Sequence, residues 1–144
     1  MGFLTRYKDP VPQNAFAPHL RVGETLGPWA HGVKSPHPMV SLLLGPIAQV
    51  LLTKEYLIGR TDRRVIVLRV KGKKAKVMEV TEYGLDESTP VTVEVLKAFD
   101  RVTIEDPERP LEATFNPVTA PDNLEHAREI VAALRARVPT EVAA

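Results

Sequence analysis

Nine Lys and Arg residues fall between positions 54 and 76: Lys54, Arg60, Arg63, Arg64, Arg69, Lys71, Lys73, Lys74 and Lys76. Cations at that density either grip an anion or keep a β-hairpin solvated. Lys71, Lys73, Lys74 and Lys76 gather on one short stretch, KGKKAK, where ammonium groups act as point charges toward a phosphate or an anionic membrane. In TDRR, Thr61 and Asp62 are suited to bond nearby backbone N–H groups and fix a turn, and Arg64 can reach an acid on a neighbouring strand.

The other residue types do not assemble a reactive set. The chain has no cysteine, which excludes disulfides, thiol catalysis and cysteine metal sites. His19, His31, His37 and His126 contain no i,i+4 pair, so metal-ligand spacing is lacking. No nucleophile elbow, P-loop or dinucleotide fingerprint occurs. Glu105, Asp106, Glu108 and Glu112 surround the turn PERP, where exposure leaves nothing to shift their pKa for acid–base work. The expectation is no enzyme, no cofactor and no metal. Nucleic acid is not expected as a partner either, because the net charge is only +1 and aromatics make up 6%.

Charge is nevertheless uneven along the chain. Residues 1–76 carry 13 Lys and Arg against 4 Asp and Glu, and residues 77–144 carry 6 against 14. That asymmetry orients the protein toward an anionic partner or lets copies meet head to tail, unless the halves interleave and cancel. The N-terminus has no apolar stretch behind a basic start, and MGFLTR matches a myristoylation pattern only loosely. A cytoplasmic location is expected.

These residues need elements to position them. Residues 1–19 hold three prolines and no periodicity, and read as an irregular arm. LRVGETLGPWAHGV, residues 20–33, is a turn feeding a first strand, with Pro28 marking an edge or bulge. MVSLLLGPIAQVLL, residues 39–52, is apolar but broken by Gly45-Pro46 and shorter than the roughly twenty residues of a spanning helix. It is a short helix packed on the core, an interfacial membrane helix or a subunit contact. Its only polar side chains are Ser41 and Gln49, so it lacks the cationic face of an interfacial helix, which favours core or contact. Leu42, Leu43, Leu44, Ile47, Val50 and Leu51 are the candidate contact residues, and Trp29 can join them.

From residue 54 the pattern alternates. YLIGR and VIVLRV flank the TDRR break, with Ile66, Leu68 and Val70 on one face and Val67, Arg69 and Lys71 on the other. AKVMEV follows the KGKK turn. Val91, Val93 and Val95, then Val102 and Ile104, then Leu111, Ala113 and Phe115 alternate with polar neighbours, as in antiparallel strands with one wet face. Residues 121–137 change to helical period, with Leu124, Ala127, Val131 and Leu134 on one stripe and Ile130 beside it. Asp122 and Glu125 have capping-box spacing, Arg135 and Arg137 suit the helix C-terminus, and Pro139 stops it.

Two motifs in this order carry a family resemblance. LRVGE, Leu20 to Glu24, is similar to the Leu-x-x-Gly-Glu opening of the first strand in bacterial pleckstrin-homology (PH)-like domains. TDRRVIVL, Thr61 to Leu68, is similar to their Thr-Asp-x-Arg hairpin. The resemblance spans residues 20–138. It implies a mainly β fold, a seven-stranded antiparallel barrel or sandwich capped by one C-terminal helix, with 39–52 as an insert between the first two strands. It implies a non-enzymatic binding or assembly module, but the fold chooses no ligand. The basic-x-Arg triplet of phosphoinositide-binding PH domains has no match in the strands here: the only such triplet is Arg135-Ala136-Arg137. Two readings remain. One is self-association or protein binding through the apolar insert, and the other is weak contact with anionic membrane lipid or another anion through the basic hairpin.

Overall fold

The computed structural model describes residues 6–86, 90–96 and 99–136. Arg137, Pro139 and the start of the MGFLTR pattern lie outside them. Strand β1 is Trp29–Lys34, followed by helices α2 (Pro38–Leu44) and α3 (Pro46–Leu52), with a short helix α1 (Val11–Phe16) before it. Then come β2 (Lys54–Arg60), β3 (Arg64–Lys71), β4 (Lys76–Gly84), β5 (Val91–Val95), β6 (Asp100–Ile104), β7 (Leu111–Phe115) and helix α4 (Asn123–Arg135).

The strands form one antiparallel sheet in the order β4-β3-β2-β1-β7-β6-β5. The fold is PH-like: seven antiparallel strands and a C-terminal helix. The sheet curls, because Val65 and Val67 of β3 share a core with Val102 and Ile104 of β6. Ala127, Ile130, Val131 and Leu134 of α4 fill the hollow, the stripe that helical spacing marked out. At the β1–β7 crossing Gly32 pairs with Phe115, and a Cβ on it would lie 2.9 Å from the Phe115 ring. Only glycine allows the two wings to meet that closely.

Three local expectations are corrected. The segment 1–19 is not an irregular arm where it is described: α1 and a 3-10 turn at Ala17–His19 follow Tyr7, and Tyr7 with Ala15 and Phe16 of α1 enters a second core with Leu57, Ile66 and Leu68. Over Leu57–Gly59 and Val65–Leu68, strands β2 and β3 are therefore covered on both faces, and only their ends at Lys54 and Lys71 are exposed. The run RVIVLRV held the signal, since nearly continuous apolar strands are covered on both sides. The Phe16 ring sits against Gly59, where a Cβ would approach it to 2.8 Å. The third correction concerns α4. Asp122 precedes it in the left-handed region (φ 52°) and makes no side-chain cap. Instead buried Asn123 accepts a 2.7 Å hydrogen bond from the His31 N–H and donates to the His31 carbonyl, which fastens α4 to β1.

Candidate binding surface

The two motifs that carry the resemblance meet in one buried cluster. Glu24 of LRVGE accepts from Arg64 at 2.8 and 3.1 Å and from the Thr61 hydroxyl at 2.7 Å. Thr61 Oγ1 accepts the Arg63 and Arg64 N–H groups and so fixes the turn. Arg64 also bonds Glu82 on β4 and the His19 carbonyl. The Arg64 hydrogen bonds hold the Glu24 carboxyl at about 2, against the cost of burying it. This cluster is structural.

A second network ties the N-terminal segment to β2. Arg6 donates to Glu55 at 2.7 Å, the Tyr7 hydroxyl reaches the Gly72 carbonyl, and buried His31 lies 3.3 Å from Glu55. Burial pushes the Glu55 carboxyl up, but His31 and Arg6 outweigh it and hold the group at about 2. His126 bonds the Trp29 carbonyl, and His37 Nδ1 accepts the Met39 N–H. Among the described residues no three His, Asp or Glu gather as a metal site. Around PERP, Asp106 departs from expectation: it is half-buried, and hydrogen bonds from Arg109 and the backbone lower its pKa.

Apart from Arg60, whose Nε is buried without a hydrogen-bond partner among the described residues, the arginines of the basic segment behave differently from its lysines. Arg63, Arg64 and Arg69 all have carboxylate partners, in Asp62, Glu24 with Glu82, and Glu79. Lys71, Lys73, Lys74 and Lys76 are exposed and, among the described residues, have no carboxylate within salt-bridge distance. Arg64 and Arg69 link neighbouring elements of the sheet, while the compact ammonium groups are left to solvent.

The strand register gives the lysines an arrangement that the sequence alone does not. Lys34 pairs with Lys54 across β1 and β2, and Lys71 pairs with Lys76 across β3 and β4. Glu55 faces Val70, so Lys54 and Lys71 are the next positions of the same ladder. Directly opposed residues project from the same face, so four lysines form one row across the end of the sheet. Lys34 and Lys54 also line an open groove of ≈ 520 Å³ with Tyr56, Arg69, Glu79 and Glu112. Lys34 and Lys54 were missed as site residues; their signal was their place as the first charges on either side of the apolar insert.

That insert leaves and rejoins the sheet at the Lys34–Lys54 pair. The two candidate regions, residues 39–52 and 71–76, therefore converge on one end of the fold. Helices α2 and α3 pack on one another, and Gln49 Nε2 bonds the Pro36 carbonyl. Leu42, Leu43, Leu44, Ile47, Val50 and Leu51 are each 70–76% exposed. The reading of the insert as added core is overturned, because neither α2 nor α3 contributes a buried residue. Trp29 does not join the patch, since it packs half-buried in the second core. No helix among the described residues is long and apolar enough to cross a membrane.

No family model matches the chain, and no curated protein does. Among solved structures it is similar to the hSac2 domain from human phosphoinositide phosphatase Sac2, with 13% identity and a TM-score of 0.46 over 90% of this chain and 79% of that one. Similarity of that degree assigns no residue a role, and the fold rests on the strand order and helix described above.

Proposed function

We propose that the chain is a non-enzymatic binding module whose contact surface is the α2–α3 hairpin. The observation that carries this is the outward display of six aliphatic side chains on a segment, residues 35–53, that holds no Lys, Arg, Asp or Glu. Contiguous apolar surface of this kind on a folded domain marks an association site. Glu24, Arg64, His31 and Glu55 are meanwhile committed to the two networks, where each has an internal partner.

Hydrophobic-interaction chromatography of the wild type and a Leu43→Glu/Val50→Glu variant tests the reading. The wild type is retained and the variant elutes early, with both unfolding at the same temperature. Equal elution means that the chain covers its own hairpin, and the reading fails.

A further inference from the structure

Resting on that reading, we propose that the hairpin's partner is an anionic membrane surface. The apolar side chains enter the interfacial layer, and Lys34, Lys54, Lys71 and Lys76 lie against the headgroups. Three observations point to this occupant.

The first is size. Each helix has seven residues, about 10 Å at 1.5 Å per residue. That is about a third of the roughly 30 Å hydrocarbon core, so the hairpin is of a size to enter the interfacial layer without spanning. The cationic face that a single amphipathic helix would need is supplied here by the sheet end beneath the hairpin.

The second is backbone chemistry. A polar N–H carried into the acyl region without a partner is costly. Pro38 and Pro46 occupy first-turn positions of α2 and α3 and have no N–H, and the Met39 N–H is held by His37 Nδ1. The Thr53 hydroxyl is turned back onto the Gln49 carbonyl.

The third is charge. Lysines opposed as Lys34–Lys54 and Lys71–Lys76 repel one another, and an anionic sheet of headgroups relieves that repulsion. Flexible ammonium groups suit a diffuse layer of phosphates and carboxylates, and their stems extend along apolar surface while the charge stays at the interface. A second copy fits less well. A two-fold contact centred on the hairpin presents the same patch from both sides and so brings one lysine row toward another.

Co-sedimentation with vesicles of phosphatidylcholine alone, or mixed with phosphatidylserine, tests the proposal at low and high salt. The wild type pellets with the mixed vesicles, less so with phosphatidylcholine, and less at high salt. Lys54→Gln/Lys71→Gln/Lys76→Gln binds on the order of a hundredfold more weakly at low salt, at roughly fivefold per lysine near the surface. Leu43→Glu/Val50→Glu, folded by its unfolding temperature, stays in the supernatant. Wild type that remains soluble with both vesicles yet is retained on the hydrophobic column overturns the membrane partner and leaves the docking surface standing. Loss of both results overturns both readings. Light scattering that shows a dimer abolished by Leu43→Glu, without vesicle binding, assigns the surface to a second copy instead.

Discussion

Replacing Glu24 by Gln removes the charge around which Arg64, Thr61 and the Arg21 N–H are arranged. The Glu24 side chain is fully buried and that of Arg64 nearly so. Its carboxyl lies at about 2 against an ordinary 4.5, first because Arg64 hydrogen-bonds it, then because Arg21 and Thr61 add to that against burial. A shift of that size corresponds to about 3 kcal/mol at 1.36 kcal/mol per unit. Removing one partner of a buried pair costs roughly 3–5 kcal/mol by the same physics. Glu82 still holds Arg64 in the variant but is half exposed, which keeps the expected loss near the lower figure. The folded-state pKa is below the unfolded one, so the contribution is complete above about pH 4.5 and fades as pH falls toward 2. Glu55 is depressed over the same window in both proteins and cancels in their difference. Urea unfolding followed by fluorescence of Trp29, the single tryptophan, gives the comparison. The gap is about 3 kcal/mol at neutral pH and closes through pH 4.5 to 2. A neutral-pH gap under about 1 kcal/mol, or one indifferent to pH, refutes the cluster's role.

Phe16→Ala empties a fully buried site in the second core and costs about 3–5 kcal/mol in urea unfolding; a loss below about 1 kcal/mol would detach the N-terminal segment from the fold. Gly32→Ala drives a methyl into the Phe115 ring and Ala113, and lowers stability by about 1–3 kcal/mol. Leu43→Glu changes stability by less than about 0.5 kcal/mol, since the residue touches no core. Burial pushes the Tyr7 and Tyr83 phenols up to about 12. Their folded-state pKa exceeds the unfolded one, so they stabilise the fold fully below about pH 10 and lose that contribution as pH rises toward 12. Ultraviolet titration therefore shows their phenolate absorbance only above the ordinary tyrosine range, and an ordinary midpoint for all tyrosines counts against their placement.

The strands and the terminal helix were legible because their signals are local. Val102 and Ile104 alternate with polar neighbours, and Ala127, Val131 and Leu134 recur at helical spacing. Helix α1 was not legible, since six residues span less than two turns and leave no period to detect. The cap of α4 was misread because Asp122 and Glu125 had the right spacing, while the group that fixes the helix, Asn123, answers to a strand 92 residues away. The exposed insert and the basic turn were each visible as composition. Their convergence was not, because it depends on which residue faces which across β1, β2, β3 and β4.

The covering of β2 and β3 by the N-terminal segment sets a limit on how the chain can be cut. A fragment beginning at residue 20 keeps every strand and the terminal helix, yet strips the cover from Leu57, Ile66 and Leu68. Such a fragment would precipitate or borrow the missing piece from a neighbour. A peptide carrying residues 6–20, added separately, would restore its solubility. Expression boundaries drawn at the first motif would thus give a sticky protein whose aggregation has nothing to do with the aliphatic side chains of the hairpin.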